Sequence, residues 1–344
     1  MPVTIEEKLD ALRNPATYGD ATGEVKAVET HMSWVFLVGG EVYKVKKPVH
    51  FPFVDFTTLD AREHNCREEV RLNRRLAPDV YLGAVALVRR ADGSLALGGP
   101  GEAVDWLVRM RRLPAENMLS AVLASGGADG VTADRLTRVL ADFYRKAERS
   151  LLSPQEHVQC FESQQAQNRQ VLCHREFDVD TEAIRHVLNR LDECLHVLRP
   201  LLEARVADGR FVEGHGDLRP EHVCLTEPIV IIDCLEFSYW LRLVDPFDEI
   251  ASLGMECAFL GVPEIGEALS ARLGIALSDS VAPELYQFYS AFRATMRARM
   301  ALGHLVYGSA TNRSAWERKT DRYIALAGHF LAKRELAAVS IRGM

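Results

Sequence analysis

Apolar positions in the first third of the chain fall into short runs separated by glycine pairs and turns. Val35–Val38 and Glu41–Lys46 flank Gly39-Gly40, which predicts a β-hairpin. Ala84–Arg89 and Leu95–Leu97 flank Asp92-Gly93 and predict a second. Val104–Met110 is a further strand candidate, and residues 5–13 suit a short helix. Between the hairpins, Pro48 and Pro52 interrupt regular structure. Leu59–Leu76 then sets Val70, Leu72 and Leu76 among charged residues, predicting a helix that ends near Ala77-Pro78. After Pro114 the pattern changes. Leu136–Leu152, Thr181–Leu202 and Pro283–His304 carry helical periodicity, broken only by two β-rich runs, Val223–Leu225 and Ile229–Asp233. The expected architecture is α+β: a small β-rich lobe over residues 1–112 and a larger, mostly helical lobe over residues 113–344.

Composition narrows the class without naming a chemistry. Hydrophobic residues make up 48% of the 344 positions and charged residues 26%, enough for a sizeable core. The net charge of −7 argues against nucleic acid as the main partner. Seven cysteines at irregular spacing, with no C-x-x-C pair, read as reduced thiols rather than a disulfide framework or zinc site. The N-terminus lacks the apolar core of a signal peptide, and no run approaches the ~18 apolar residues of a membrane span. A cytoplasmic protein is the expectation.

Two segments carry candidate chemistry. The first is Glu213-Gly214-His215-Gly216-Asp217-Leu218-Arg219-Pro220-Glu221-His222, between a helical segment and two short strands. A carboxylate on such a tight, glycine-bracketed loop can orient a hydroxyl for phosphoryl transfer. The second is Ile231-Ile232-Asp233-Cys234-Leu235-Glu236. An aspartate that ends a buried strand suits Mg²⁺, which takes oxygen ligands and leaves positions for nucleotide phosphates. Glu236 is either a further metal ligand or a capping residue.

The loop His215–His222 resembles the catalytic loop of the aminoglycoside phosphotransferases and echoes the protein-kinase pattern H-R-D-L-x-x-x-N. Asp233–Glu236 is similar to their metal-binding segment, and Val244-Asp245-Pro246-Phe247-Asp248 to their Asp-Pro-x-x-Asp segment. Tyr43–Lys46, Phe51–Phe56 and Leu72–Pro78 resemble an uncharacterised bacterial branch of that family. Some members of that branch carry an added P-loop ATPase domain, but no G-x-x-x-x-G-K-[ST] occurs in this sequence. The resemblance covers about residues 20–305.

It implies a bilobal, protein-kinase-like fold and an ATP-dependent O-phosphotransferase that uses Mg²⁺ and a small-molecule acceptor. Relatives of the family act on sugars, choline, homoserine and macrolides. Asp217 would be the catalytic base and Asp233 the Mg²⁺ ligand. A strand lysine, Lys44 in preference to Lys46, would contact the phosphates and pair with Glu69, or alternatively Glu68. The adenine would lie near Val108–Arg112, with Met110 and Arg112 as contacts, and Glu29–Trp34 would take the place of the phosphate-covering loop. His222 stands where the kinase pattern has the second-metal asparagine, so it is a candidate metal or nucleotide ligand, although imidazole suits Mg²⁺ poorly. The alternatives are a nucleotide-binding pseudokinase or regulator, and a protein kinase or nucleotidyl transferase on the same fold. The absence of D-F-G and A-P-E argues against a typical protein kinase.

Overall fold

The computed structural model describes residues 3–19, 23–51, 54–127, 130–174, 176–307 and 312–342. Pro52 and Phe53, within the Phe51–Phe56 motif, lie outside the described residues. The chain divides into two compact units, Met1–Asn117 with Thr226–Trp240, and Met118–Leu225 with Leu241–Met344. The segment that contains Asp233 therefore groups with the N-terminal residues, whereas the sequence reading drew one boundary after residue 112.

In the first unit, α1 (Ile5–Arg13) precedes β1 (Val25–Glu29), β2 (Ser33–Val38), β3 (Glu41–Lys46) and the two-residue strands β4 (His50–Phe51) and β5 (Val54–Asp55). Then follow α2 (Leu59–Asn73), β6 (Tyr81–Arg89), β7 (Leu95–Leu97) and β8 (Glu102–Arg111). Six strands form one antiparallel sheet in the order β1-β2-β3-β8-β6-β7. Both predicted hairpins form, with Gly39 (φ 55°) and Gly93 (φ 86°) supplying the left-handed turn residues. β1 was not predicted. It makes Glu29–Trp34 a tight hairpin, closed by the Thr30 amide donating to the Ser33 carbonyl at 2.8 Å.

The sheet's two faces follow from its period of two. Phe36, Val38, Tyr43, Val45, Leu87 and Leu107 form a buried core with Leu12 of α1. The opposite face receives α2, whose buried positions Arg62, Asn65, Cys66, Glu69, Leu72 and Asn73 lie on one helical stripe but are mainly polar. Arg62 Nε donates to Asp105 Oδ1 of β8 at 2.7 Å, and Lys8 Nζ of α1 reaches Asp105 Oδ2 at 2.8 Å. One buried carboxylate thus ties both helices to the sheet.

The second unit is helical: α3 (Leu119–Ala124), α4 (Gly130–Lys146), α5 (Pro154–Leu172) and α6 (Thr181–Ala207), then α8 (Pro246–Phe259) after the one-turn α7 (Tyr239–Arg242) that crosses the division. α9 (Glu264–Leu277), α10 (Pro283–Tyr307) and α11 (Arg313–Arg342) complete it. α10 packs on α5, α6, α8 and α11, and its Phe288, Tyr289 and Phe292 cluster with Phe161 of α5. The periodicity found α4, α6 and α10 but not α3, α5, α8, α9 or α11. Every residue from Pro246 to Cys257 of α8 is buried, and a helix covered on all sides has no amphipathic period.

α8 and α9 touch backbone to backbone. A Cβ placed on Gly254 would lie 2.6 Å from the Gly266 Cα, so no side chain fits between them. Gly254→Ala is expected to cost about 1–3 kcal/mol by forcing the helices apart. Urea unfolding would show it as a lower midpoint at unchanged slope.

Candidate active site

In the first unit the ionisable groups gather on the α2 side of the sheet. With Tyr43 and Val45 in the core against α1, the alternate residues Lys44 and Lys46 of β3 face α2. Glu69 lies between them. Lys44 Nζ is 2.9 Å from Glu69 Oε1, and Lys46 Nζ is 2.5 Å from Glu69 Oε2. The segment after Val230–Ile231 adds two carboxylates: Lys44 Nζ is 2.8 Å from Asp233 Oδ1, and Lys46 pairs closely with Glu236. Glu236 therefore serves a lysine. Glu68, the alternative partner, instead pairs with Arg71 at 2.9 Å on an exposed part of α2.

Burial grades this cluster. The side chains of Lys46 and Glu69 are 1% and 0% exposed, that of Lys44 is 17% and that of Asp233 is 43%. The inner pair is structural, while the Lys44–Asp233 pair reaches solvent. Burial alone would lower both lysines, but Asp233, Glu69 and Glu236 more than offset it and hold Lys44 well above its ordinary range. Lys46 is raised for the same reason, chiefly by Glu236 and Glu69. Burial would raise Glu69, yet Lys44 and Lys46 hold it below its usual value.

The sign of the pH dependence follows. The stabilisation from Glu69 is present above 4.5 and is lost as pH falls through its lower folded value. That from Lys44 and Lys46 is full below 10.5 and is lost as pH rises through their higher folded values. The cluster's contribution is therefore expected to be level from about pH 5 to 10 and to fall on acidification. Urea midpoints measured from neutral pH down to about 3 would show this, and Glu69→Gln should make the acid limb shallower.

The backbone around Asp233 is anchored by side chains far away in sequence. Its amide donates to Tyr81 Oη at 3.0 Å, and the Cys234 amide donates to Asn73 Oδ1 at 2.8 Å. Asn73 Nδ2 in turn donates to the Glu69 carbonyl at 2.8 Å. Asp233 sits at φ 61°, a left-handed conformation that aspartate tolerates better than most residues. Tyr81 and Asn73 were not singled out from the sequence, although Asn73 lies within the Leu72–Pro78 motif. Met110 is buried in β8, opposite Val42 and Tyr81. Arg112 is exposed, and its amide donates to the Gly40 carbonyl at 2.8 Å.

In the second unit the Asp217 loop leaves a two-residue strand, Val212–Glu213, paired antiparallel with Leu243–Val244. Gly214 has no room for a side chain: a Cβ would lie 2.5 Å from Val244 Cγ2 and 2.8 Å from Glu249 Oε2. Gly216 adopts φ 87°, and its amide donates to Glu249 Oε1 of α8. Tyr144 of α4 donates its hydroxyl to Glu249 Oε2 at 2.8 Å. Burial raises the Glu249 carboxyl, offset in part by the Gly216 and His215 amides and by Tyr144. His215 is fully buried, with its Nδ1 3.4 Å from the Asp217 amide. These contacts hold the loop backbone against α4 and α8 and leave the Asp217 side chain 31% exposed.

Burial would raise the Asp217 carboxyl, but the imidazoles of His222 and His215 and the guanidiniums of Arg219 and Arg297 turned toward it outweigh that and hold it below its ordinary value. Arg219 Nε lies 3.2 Å from Asp217 Oδ2. His222 places Nδ1 2.8 Å from the Asp217 carbonyl and Nε2 2.8 Å from Arg219 Nη2, so both ring nitrogens are engaged inside their own loop. Asp245 caps α8, accepting from the Phe247 amide at 2.9 Å, and also pairs with Arg205. Asp248 pairs with Arg293 and Glu256 with Arg297, so two arginines of α10 stand against carboxylates of α8.

The fold as a whole recurs in solved structures. A choline/ethanolamine kinase family protein from Mesorhizobium loti aligns over 96% of this chain and 99% of its own, with a TM-score of 0.55 at 15% identity. The kinase-like fold is thereby identified. Its lobes here are the smaller β-rich one and the larger helical one. Choline kinase from Cryptosporidium parvum shares the kinase-like fold, with a TM-score of 0.55, 11% identity and coverage of 97% and 96% of the two chains. So does a thermostable mutant of an aminoglycoside phosphotransferase, with a TM-score of 0.52 at 11% identity over 89% and 94%. By sequence, uncharacterized proteins of Mycobacterium bovis and Mycobacterium tuberculosis are 34% identical over 276 residues, 79% of this chain. The chain spans about half the length of these relatives, 53%. No family model matches it.

Among the described residues, no group of three or more His, Cys, Asp and Glu side chains is arranged to hold a metal. Mg²⁺ needs no such group, because it commonly binds through one or two carboxylates together with phosphates and water. The solvent-reaching carboxylate of Asp233, beside the ammonium of Lys44, fits that demand. No helix of the described residues is long and apolar enough to cross a membrane.

Proposed function

We propose that this protein is an ATP-dependent O-phosphotransferase acting on a small-molecule hydroxyl. The observation that carries the reading is the graded cluster Glu69–Lys44–Asp233. It holds one lysine with its charge locked on, beside a carboxylate that reaches solvent. A protein that only needed to stabilise its sheet gains little from such an arrangement, since buried ion pairs often do no better than apolar residues. For a triphosphate, Lys44 offers a fixed positive charge and Asp233 a magnesium ligand. Magnesium, when bound, supplies charge neutralisation on the phosphates.

Asp217 takes the acceptor side. Its carboxylate, held ionised by Arg219 and its neighbours, accepts the hydrogen bond of the attacking hydroxyl and aligns it. The new bond joins the acceptor oxygen to the γ-phosphorus as the bond from phosphorus to the ADP oxygen breaks. The hydroxyl proton passes to Asp217. Positioning and charge supply most of the rate. The acceptor class is that named for the structural neighbours, a small amino alcohol or an aminoglycoside, with sugars as a further candidate, and the protein carries this out in the cytoplasm.

The test is incubation with Mg-ATP and a panel of sugars, amino alcohols and aminoglycosides, with products read by mass spectrometry and ³¹P NMR. One phosphorylated acceptor together with stoichiometric ADP is the expected result. Tight ATP binding with no turnover on any panel member would overturn the transferase reading in favour of a nucleotide-binding regulator.

A further inference from the structure

The ring of His222 is assigned by its partners. Arg219 can only donate, so His222 Nε2, 2.8 Å from Arg219 Nη2, must accept. The Asp217 carbonyl can only accept, so His222 Nδ1, 2.8 Å away, must carry the proton. One neutral tautomer satisfies both contacts, and it leaves no ring lone pair for a metal. The ring is 5% exposed, and the turn Pro220–His222 fixes its backbone, with the His222 amide donating to the Arg219 carbonyl at 3.0 Å. Arg219, held at Nη2, lays Nε against Asp217 Oδ2 at 3.2 Å. The three residues close a triangle in which the histidine sets the arginine and the arginine faces the carboxylate.

We propose that His222 is a positioning residue rather than a metal ligand: as the Nδ1–H tautomer it ties the Asp217 carbonyl to the Arg219 guanidinium and so fixes that guanidinium beside the Asp217 carboxylate. The inference assigns a role within the transferase read above, and in its effect on rate it rests on that reading. The substitution of histidine for the kinase pattern's asparagine then exchanges a metal ligand for a clamp on an arginine. An asparagine here could reach the Asp217 carbonyl but is too short to hold Arg219 as well. Glutamine can place an acceptor near the Nε2 position.

Three measurements on the full chain test it. Long-range ¹H–¹⁵N NMR, with the His222 signals assigned by their loss in His222→Asn, should show an Nδ1-protonated neutral ring that Mg-ATP does not change. An Nε2-protonated ring, or one converted by Mg-ATP, overturns the proposal. Calorimetry of ATP binding over a Mg²⁺ series should give the same magnesium dependence for wild type and His222→Ala, and a tenfold or greater shift overturns it. Turnover should fall roughly 10- to 100-fold in Arg219→Ala and in His222→Ala, by misplacement of the reacting groups. The double variant should fall no further than Arg219→Ala alone, and His222→Gln should recover part of the loss. Independent, multiplying effects overturn the clamp. If the wild type phosphorylates no acceptor, the functional reading fails while the tautomer and the magnesium series still decide the role of His222.

Discussion

Asp217→Ala is expected to lower acceptor phosphorylation by about 10²–10⁴-fold while leaving ATP affinity and the unfolding midpoint essentially unchanged. The loop that presents Asp217 is held by groups other than its carboxylate: the Gly216 amide on Glu249, Tyr144 on the same carboxylate, and buried His215 and Leu218. Removing the carboxylate frees Arg219 but opens no core cavity. The loss should appear in kcat, because an aligned hydroxyl matters most in the transition state. Asp217→Asn keeps an acceptor oxygen but cannot take a proton, so it too is expected to be strongly impaired. The pH profile gives a second check. The Asp217 carboxyl lies below 3.8, and activity that depends on its ionised form is lost only as pH falls through that lower value. The rate should therefore show no acid limb from Asp217 above pH ~4. Undiminished turnover in the alanine variant, measured with the acceptor found by the panel, would remove Asp217 from the mechanism.

Glu69→Ala is expected to be the most destabilising single substitution at the candidate site, by about 3–5 kcal/mol. The carboxylate is fully buried and serves both Lys44 and Lys46, so its removal costs each lysine a charge-assisted hydrogen bond in a desolvated site. Lys46 retains Glu236 and Lys44 retains Asp233, which is why the effect is a loss of stability rather than a failure of either lysine to find a partner. Lys44→Ala should cost less, because Lys44 reaches solvent and Lys46 still neutralises Glu69. Its larger effect is expected on ATP affinity. Urea unfolding followed by tryptophan fluorescence, with Trp34 and Trp106 both in the first unit, would rank the two variants. Equal stabilities for wild type and Glu69→Ala would show that the cluster is not structural.

Much of this site was legible along the chain, for reasons that are local. Glycine pairs between apolar runs predict hairpins because only such residues take up the turn without strain. Gly214 and Gly216 mark the Asp217 loop in the same way, and the structure shows one pressed against Val244 and Glu249 and the other at positive φ. α2 was found by its apolar positions among charged ones, although the helix ends at Asn73, short of Ala77-Pro78, and its buried face is built largely from Arg62, Asn65, Glu69 and Asn73. α8 escaped because it is buried all round, and β1 because four of its five residues are exposed and carry no apolar alternation.

The division between what the chain determines alone and what folding adds is sharpest on β3. A period of two places Lys44 and Lys46 on one face before anything is known of the rest of the molecule. It also leaves them equivalent. Tertiary structure makes them different: it buries Lys46 between Glu69 and Glu236, and it leaves Lys44 reaching solvent beside Asp233. The same holds at His222, where sequence position suggested a metal ligand and packing turned both ring nitrogens to Asp217 and Arg219. Backbone geometry is set over a few residues and can be read from them. Desolvation and the choice of counter-charge depend on side chains brought together from distant parts of the chain, so only the folded protein decides them.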